Sequence, residues 1–561
     1  MTPLSTLPVL VLDAQATSAD PARGALVEVG WAPWSAAEGR ELAAAAPTAL
    51  VVAPPPGATM PPAVARITGL STADWGRGVA PALAWDRLRA AAEGVALSPV
   101  PAVVHFARFE EPSLRALHAR HGAGPFPLDL VCTHAIARRL LPELPRRSLR
   151  ALAGYFGAGV TPLRRSADHV AATALVWRHL VALLAEREGV CDLEALREWL
   201  ARPARRAPRR FPLPRERRLE LPDRPGVYRL LRAGGAVLYV GKAASLRQRI
   251  GGHFHARGGE RALEMLTQVR DVACTETETA LEAALLEADE IKRLAPPFNV
   301  ALSADRRAVW FATAELSHLQ EGPDRHHTVG PLVSPAPLES LAALRAALAL
   351  GGPPGLAVGG RAVGVEPAWA PGPECFAAGL DRFAREHGRV GTTRSLLRLG
   401  ARLWERRRSE AATAADGAGE AEAETPRRPA WDAERVREAL EETVVRAAHA
   451  VRRARWLVRL SECALAWVEP ATERRRLLVL QGGVVAARAY LPPEAPVPVP
   501  PGHARTRGER RAAFDVATFD RLRVLTTELR GLATEAASIE LRLGPHARLC
   551  RRRLRRVLRW V

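Results

Sequence analysis

Cysteine is scarce and scattered in this chain of 561 residues, which has six of them, at Cys132, Cys191, Cys274, Cys375, Cys463 and Cys550. No two lie close enough to form a CxxC-type ligand pair, so a zinc or iron–sulfur site built on thiolates is not expected. Long apolar runs are also missing, and no window approaches the ~18 uninterrupted apolar residues of a membrane span. The N-terminus lacks a basic start followed by an apolar core. We therefore expect a cytoplasmic protein without a membrane partner.

Acidic residues are too few to balance the basic ones. The chain has 80 Lys and Arg against 60 Asp and Glu, which gives a formal charge of +20. Such an excess favours a polyanionic partner, because binding to phosphates releases their counterions, and DNA is the first candidate. A different explanation stays open, in which an Arg-rich and Ala-rich composition reflects the base composition of the genome. The sequence predicts nothing about oligomeric state.

Aromatic residues make up only 5 % of the chain, but hydrophobic residues make up 48 %, enough to bury several cores. The length predicts three or four domains. An apolar run ending at Asp13 and later helical patterns indicate an α/β domain over residues 1–199. Residues 200–218 are rich in arginine and proline and are predicted to be a basic linker that resists helix formation. This linker either lies along DNA or is simply solvated; its candidate contacts are Arg205, Arg206, Arg209 and Arg210.

The remaining chain is predicted to hold three ordered segments. Residues 219–305 have the pattern hairpin, helix, strand, helix, and residues 306–408 look like a small α+β extension. Residues 409–428 are acidic and of low complexity, which is typical of a flexible linker. Residues 429–561 are predicted to be an α+β domain with a basic terminal helix, where Arg552 and Arg555 either contact DNA or belong to a charged helix face.

Two of the four tyrosines in the chain lie in one predicted hairpin. Apolar runs that contain Tyr228 and Tyr239 flank the Gly234-Gly235 turn, and Lys242 closes the second run. Ser245 is expected to cap the helix that follows. Arg247 lies in its first turn, and Arg249 and His253, four residues apart, share one face of this helix.

A second helix is predicted to begin at Thr279, where Glu282 completes a capping box, and to end before Pro296. Its apolar stripe consists of Leu281, Ala284, Leu285, Ala288 and Ile291. Glu287 lies at the margin of this stripe, where a carboxylate is partly desolvated but reachable, whereas Asp289 and Glu290 are expected to point outward. A glutamate in this position is either a metal ligand or an ordinary edge residue.

Together these segments resemble the GIY-YIG nuclease family, with GVY at 226–228, YVGK at 239–242, LRQR at 246–249, LLEADEIK around Glu287 and PPFNV around Asn299. The match is similar to the excision-repair nucleases of the UvrC and Cho type. The resemblance implies that Glu287 binds a divalent metal, Mg²⁺ or Mn²⁺, and that Tyr228 is the general base or its partner. It also implies that Tyr239, Lys242, Arg249 and His253 line the phosphate site and that Asn299 has a supporting role. The family usually has tyrosine where His253 stands.

Residues 9–185 resemble the DEDDh exonucleases, an RNase H-like fold related to the polymerase III epsilon subunit, through VLVLDAQAT, ITGLS, VVHFARFEEPSL and RRSADHVAATALVW. That chemistry needs four carboxylates around two metals and a histidine base. Asp13 is kept and Glu110 stands at the third carboxylate, but the second carboxylate is Gln15, the base is Arg164 and the last carboxylate is His169. We expect this domain to lack exonuclease activity.

The sequence thus favours a metal-dependent DNA endonuclease that acts in nucleotide excision repair. Its predicted fold class is multidomain α/β and α+β. Partner excision-repair proteins are implied by the resemblance. One alternative is a non-catalytic DNA-binding or scaffold protein, and another is a 3′–5′ exonuclease of the polymerase III epsilon type. The lesion, the side of incision and the role of residues 306–561 are not predicted.

Overall fold

The computed structural model describes residues 2–37, 47–95, 97–158, 163–203, 207–255, 259–299, 308–316, 318–350, 357–358, 361–362, 372–388, 390–415, 431–469 and 472–560. Contacts divide the chain into two compact units. The first comprises residues 1–283 and 294–301, and the second comprises residues 284–293 and 302–561.

The strands of the first unit are β1 (Val9–Ala16), β2 (Leu26–Trp34), β3 (Thr48–Val51), β4 (Val100–Val104), β5 (Leu128–Cys132), β6 (Gly226–Leu231), β7 (Val237–Ala243) and β8 (Asp271–Glu276). Its helices are α1 (Pro62–Thr68), α2 (Thr72–Gly76), α3 (Pro81–Glu93), α4 (Ala107–His121), α5 (Thr133–Leu140), α6 (Leu149–Tyr155), α7 (Ser166–Glu188), α8 (Leu193–Ala201), α9 (Arg215–Leu219), α10 (Leu246–His255) and α11 (Glu260–Gln268). Helix α12 (Ala280–Leu294) begins and ends in this unit, but its middle belongs to the second.

The front sheet has the order β3-β2-β1-β4-β5, in which β1, β2 and β3 are antiparallel and β4 and β5 run parallel to β1. Strand β1 is apolar from Val9 to Leu12 because both faces of the sheet are covered. Val9 and Val11 belong to the core on one face, which includes residues of α5, α6 and α7. Leu10 and Leu12 belong to the core on the other face, which includes residues of α3 and α4. This is the predicted RNase H-like arrangement.

The second sheet of this unit has the order β7-β6-β8, and both pairings are antiparallel. The predicted hairpin is present, and Gly234 and Gly235 turn it with φ of 83° and 81°, a region that favours glycine. Helix α11 was not predicted as a separate element. Helix α8 ends at Ala201 and helix α9 begins at Arg215, so the prediction of a helix-resistant linker over 200–218 does not hold for residues 200–201 and 215–218.

The second unit contains β9 (Trp310–Ala312), β10 (Leu319–Glu321), β11 (Val329–Leu332), β12 (Ala357–Val358), β13 (Arg361–Ala362), β14 (Cys463–Val468), β15 (Arg475–Gln481), β16 (Val484–Leu491), β17 (Ile539–Arg542) and β18 (Arg548–Cys550). Its helices are α13 (Ala336–Leu350), α14 (Pro373–His387), α15 (Thr393–Ala415), α16 (Ala433–Leu460), α17 (Arg507–Ala512), α18 (Val516–Glu535) and α19 (Arg551–Leu558).

One core of this unit gathers apolar residues of α13, α14, α15 and α16 with those of the sheet β10-β9-β11. A separate five-stranded sheet has the order β16-β15-β14-β17-β18 and is antiparallel throughout. Two predictions need adjustment here. Helix α15 continues to Ala415, so residues 409–415 of the predicted acidic linker are helical, and Arg548 and Leu549 belong to β18 rather than to the terminal helix.

Candidate active site

Tyr228 lies at the centre of β6 and its side chain is fully buried. It pairs across the hairpin with Gly241, and a Cβ atom built on that glycine would lie 2.5 Å from the Tyr228 hydroxyl. Any larger residue at position 241 would therefore displace the phenol. Tyr239 lies two residues before Gly241 on β7, so its side chain leaves the sheet from the same face as Tyr228. The glycine of the YVGK motif makes room for the tyrosine of the GVY motif.

Three rings meet on this face of the sheet. The ring centroids of Tyr228 and Tyr239 are 6.1 Å apart, and each lies close to His253, at 5.7 Å and 6.0 Å. The Tyr228 hydroxyl lies 2.6 Å from His253 Nε2, which is a short hydrogen bond. The structure thus brings together three of the predicted site residues, including His253, which stands where the family usually has tyrosine.

His253 is held in place by α10, which begins as predicted. The Ser245 hydroxyl accepts a hydrogen bond from the Gln248 amide at 3.3 Å, and Leu246 and Ile250 are buried. Burial lowers the pKa of His253, and the positive charge of the exposed Arg249 lowers it further. The neutral imidazole is therefore favoured near neutral pH, and this form can accept the proton of the Tyr228 hydroxyl.

The remaining cationic candidates occupy different positions. Lys242 is half-buried and pairs with Val227, so its Cβ leaves the sheet from the face opposite Tyr228. The Lys242 side chain therefore starts on the face opposite the three rings. Arg247 is exposed, and its Nε donates to the Leu221 carbonyl at 2.8 Å.

Asn299 fixes the outer strand of the hairpin. Its side-chain oxygen accepts from the Val240 amide and its side-chain nitrogen donates to the Val240 carbonyl, both at 2.9 Å. The neighbouring Phe298 amide donates to the Leu238 carbonyl at 3.1 Å. Asn299 is 9 % exposed, so these bonds are shielded from water. Its contacts are those of a residue that positions β7, the strand that carries Tyr239.

Helix α12 carries Glu287. The Thr279 hydroxyl accepts from the Glu282 amide at 3.2 Å and donates to the Glu282 carboxylate at 3.1 Å, as the capping pattern predicted. Glu287 is half-buried at the margin of the apolar stripe, all of whose members are buried. The prediction that Glu290 points outward is wrong, because its side chain is buried. A helical wheel cannot anticipate a helix that is covered on more than one side.

The part of α12 that carries Glu287 belongs to the second unit. There, Lys292 Nζ lies 2.8 Å from the Asp520 carboxylate, and both side chains are largely buried. Asp289 forms an ion pair with Arg521. These pairs join the middle of α12 to α18, so the helix that presents Glu287 is held by the C-terminal half of the chain.

Glu287 offers a single carboxylate, which is a ligand that Mg²⁺ can use, because Mg²⁺ is commonly bound by one or two carboxylates together with water and substrate phosphates. Within the described part of the chain, three possible ligands converge at one place only, Glu386, His387 and Glu441 in the second unit. The guanidiniums of Arg407 and Arg437 already pair with Glu441 there, so that cluster does not offer free ligands.

The exonuclease-like positions converge only in part. Asp13 Oδ1 lies 3.0 Å from His169 Nδ1. Burial lowers the pKa of His169, but the hydrogen bond and charge of Asp13 outweigh burial and raise it. Burial and the nearby charge of Asp13 raise the pKa of the fully buried Glu110 well above its usual range. With an imidazole on Asp13 and a glutamine at the second carboxylate position, these residues are a poor site for two divalent cations.

The other two exonuclease-like positions lie at the edge of this cluster. The Gln15 amide nitrogen donates to the Arg164 carbonyl at 3.1 Å, and the Arg164 side chain is exposed. Sequence reasoning missed His105, which is buried and lies 2.8 Å from the Thr133 hydroxyl. Burial and the charge of His134 lower the pKa of His105 to about 3. The only sequence signal for His105 was its position directly after the apolar strand residues of the VVHF stretch.

The predicted DNA contacts are placed as follows. Arg205 and Arg206 lie outside the described residues, and Arg209 and Arg210 are exposed. Arg552 is exposed, whereas Arg555 Nε donates to the Ala533 carbonyl at 2.9 Å, which ties α19 to α18. In the described part of the chain, no helix has the length and apolarity needed to cross a membrane.

Comparison with known proteins agrees with the geometry. Residues 224–300 match the UvrC-like GIY-YIG domain family. UvrABC system protein C of Rhizobium etli is 49 % identical over 87 residues, 15 % of this chain and 13 % of that protein. A Mycobacterium tuberculosis protein named as a bifunctional exonuclease/endonuclease is 32 % identical over 303 residues, 52 % of this chain and 45 % of that protein. The chain thus spans less than half the length of these curated relatives.

Among solved structures, the chain is similar to the GIY-YIG N-terminal endonuclease domain of UvrC from Thermotoga maritima, bound to magnesium. The identity is 29 %, the TM-score is 0.15, and the match covers 15 % of this chain and 94 % of that one. Exonuclease I of E. coli matches at 13 % identity and a TM-score of 0.27, over 40 % of this chain and 48 % of that one. Residues 224–300 are therefore a GIY-YIG domain of the UvrC type, preceded in the chain by an exonuclease-like region.

Proposed function

We propose that this chain is a divalent-metal-dependent DNA endonuclease, and that it makes incisions in nucleotide excision repair. The observation that carries the proposal is the 2.6 Å hydrogen bond between the buried Tyr228 hydroxyl and His253 Nε2, inside a domain of the UvrC type. The similarity to a protein named as a bifunctional exonuclease/endonuclease supports a nuclease, and the similarity to UvrABC system protein C is the reason for placing it in excision repair.

In the proposed reaction, neutral His253 accepts the phenolic proton of Tyr228. The phenolate then takes a proton from water as the water oxygen attacks the scissile phosphorus, and the bond to the leaving oxygen breaks. Arg249, exposed one helical turn before His253, is placed to offset charge that develops on the phosphate oxygens. Tyr239 contacts both Tyr228 and His253 and keeps the two groups aligned.

Glu287 is the residue that would hold the metal, Mg²⁺ or Mn²⁺. When bound, the metal polarises the phosphate and stabilises the leaving oxygen. The half-buried position of Glu287 on α12 leaves its carboxylate partly desolvated, which strengthens its attraction for a cation. We propose no metal chemistry for the exonuclease-like site, because Gln15 and His169 replace two of its carboxylates.

The test is nicking of UV-irradiated and unirradiated supercoiled plasmid with Mg²⁺, with Mn²⁺ and with EDTA. Tyr228→Phe keeps the ring and should remain folded, but nicking should fall roughly 10²- to 10⁴-fold because the proton acceptor is lost. Tyr490→Phe, which removes the hydroxyl of a tyrosine in the C-terminal sheet, should nick like the parent. A folded Tyr228→Phe protein within a few-fold of the parent rate would contradict the mechanism.

Glu287→Gln should abolish metal-dependent nicking while DNA affinity changes little, because the carboxylate charge serves only to hold the metal. Binding is measured with a labelled duplex in EDTA, and nicking with increasing Mn²⁺. Full activity in this variant would remove Glu287 as the ligand. Equal nicking of irradiated and unirradiated plasmid, with or without partner excision-repair proteins, would argue against the repair role but not against the nuclease.

A further inference from the structure

The second unit contains a groove lined by arginines, which we call the arginine groove. One part is a cavity of about 350 Å³ whose lining includes Arg452, Arg455, Arg459, Arg507 and Arg556. An adjoining cavity of about 770 Å³ shares Arg452 and adds Arg394, Arg398 and Arg402. Glu405 is the only carboxylate that lines either cavity among the described residues.

Helical spacing brings these arginines to one place. Arg394, Arg398 and Arg402 follow one another at intervals of four on α15, so they form a row along one face. Arg452, Arg455 and Arg459 have intervals of three and four on α16 and form a second row. The row on α15 extends over about 12 Å, which is longer than a single phosphate group. The groove therefore suits an extended anion with repeated charges.

The charges of the groove are not neutralised by the protein. Within the described residues, none of these eight arginines forms an ion pair with a carboxylate. Burial and the positive charges of Arg507, Arg452 and Arg394 lower the pKa of Arg455. Burial and the positive charges of Arg507 and Arg510 also lower the pKa of Arg459. Elsewhere in the unit the pattern differs, since Arg437 pairs with Glu434, Glu386 and Glu441.

Tryptophan rings support the guanidiniums. Arg452 lies over the ring of Trp560 with its central carbon 4.1 Å from the centroid, and Arg459 lies over Trp456 at 4.5 Å. Trp456 is half-buried at the groove, so part of its ring is accessible. Arginine beside an accessible aromatic ring is the combination that binds single strands, because phosphates pair with the charge and bases stack on the ring.

We propose that the arginine groove binds the phosphodiester backbone of a single DNA strand. A concave cavity of this size can seat one backbone, whereas a duplex presents two backbones on either side of each groove. The site lies in a part of the chain outside the GIY-YIG domain, and the proposal does not depend on the nuclease chemistry. It assigns a role to the C-terminal segment for which the sequence predicted none.

The test measures fluorescence anisotropy of labelled dT20 with the full chain in EDTA, so that no cleavage occurs, at several salt concentrations. Arg455→Gln/Arg459→Gln/Arg507→Gln should bind at least 10-fold more weakly. Each phosphate contact contributes roughly 0.7 to the slope of log affinity against log salt, so the loss of three contacts should make this slope shallower by about 2. The matched control, Arg382→Gln/Arg446→Gln/Arg548→Gln, removes three exposed arginines that pair with carboxylates, and should bind within about 2-fold of the parent.

A second variant protects the test against misfolding. Arg394→Gln/Arg398→Gln/Arg402→Gln changes only exposed side chains of α15 and should also lower the affinity and the slope. Parent-like binding by this folded variant, an equal loss in the matched control, or an equal loss for a duplex of the same length would overturn the proposal. Binding of dT20 is measured in EDTA, where no cleavage occurs, so failure of the nuclease mechanism and failure of the groove give different results.

Discussion

At the scale of single residues, His253 lies between a buried phenol and an exposed guanidinium. Its Nε2 lies 2.6 Å from the Tyr228 hydroxyl, and Arg249 lies one turn away on the same helix. An imidazole is a better proton acceptor than the tyrosine that the family usually has at this position, because its neutral form is available near pH 7. In the proposed mechanism the histidine therefore serves as the proton acceptor for the phenol.

This gives a pH prediction. The pKa of His253 lies below the ordinary 6.5 of histidine, so the imidazole stays neutral, and able to accept a proton, as pH falls through 6.5. We expect kcat/KM for nicking to keep more than half of its plateau at pH 6.5 and to decline only at lower pH. In His253→Tyr this acidic decline should disappear, because the group that produces it is absent.

The measurement is an initial-rate profile from pH 5 to 9 at constant ionic strength. His503→Gln is a suitable control, since it removes an exposed histidine of the second unit and should leave the profile unchanged. A midpoint at or above pH 6.5 in the parent protein, or an unaltered profile in His253→Tyr, would refute the role given to the imidazole.

At the scale of secondary-structure elements, local patterns predicted most of the GIY-YIG domain. The Gly234-Gly235 turn, the Ser245 cap and the Thr279–Glu282 pair each involve residues within a few positions of one another, where short-range chemistry decides the conformation. Errors arose where distant segments cover an element. Glu290 is buried although it lies off the apolar stripe of α12.

The strand β7 supports a prediction about Asn299. Asn299→Ala removes two hydrogen bonds to Val240 and leaves buried backbone groups without that partner, which should cost about 2–3 kcal/mol. We expect faster hydrogen exchange of the peptide covering residues 237–243, while peptides of the front sheet, such as residues 9–16, exchange as in the parent. Unchanged exchange of the β7 peptide would contradict a positioning role for Asn299.

At the scale of the whole molecule, the exonuclease-like region and residues 219–283 of the GIY-YIG domain belong to one compact unit. Helix α11 packs against α6, where the Ser148 hydroxyl lies 2.8 Å from the Glu264 carboxylate and the Arg146 amide donates to the Thr267 hydroxyl at 3.1 Å. The guanidinium of Arg150 lies 4.6 Å from the centroid of the Phe298 ring. The sequence could not predict this contact, because it joins segments more than a hundred residues apart with no shared pattern.

A truncated chain tests what the front domain contributes. A protein consisting of residues 207–561 keeps every residue of the proposed nuclease site, so it should still nick an accessible plasmid at 25 °C. It loses the surface of α6 that covers α11, and we expect its GIY-YIG domain to unfold at a lower temperature than in the full chain. Differential scanning fluorimetry and nicking after graded heating measure this, and an unchanged melting temperature would contradict a stabilising interface.

The contacts of Phe298 and Asn299 have a consequence for solubility. Strand β7 is the outer strand of its sheet, and an outer strand normally offers unpaired amides and carbonyls to any other extended chain. Here the Phe298 amide bonds to the Leu238 carbonyl, and the Asn299 carboxamide bonds to both the amide and the carbonyl of Val240, as a neighbouring strand would. The asparagine that fixes β7 therefore also covers its hydrogen-bonding edge, and we expect Asn299→Ala to expose that edge to pairing with another extended chain.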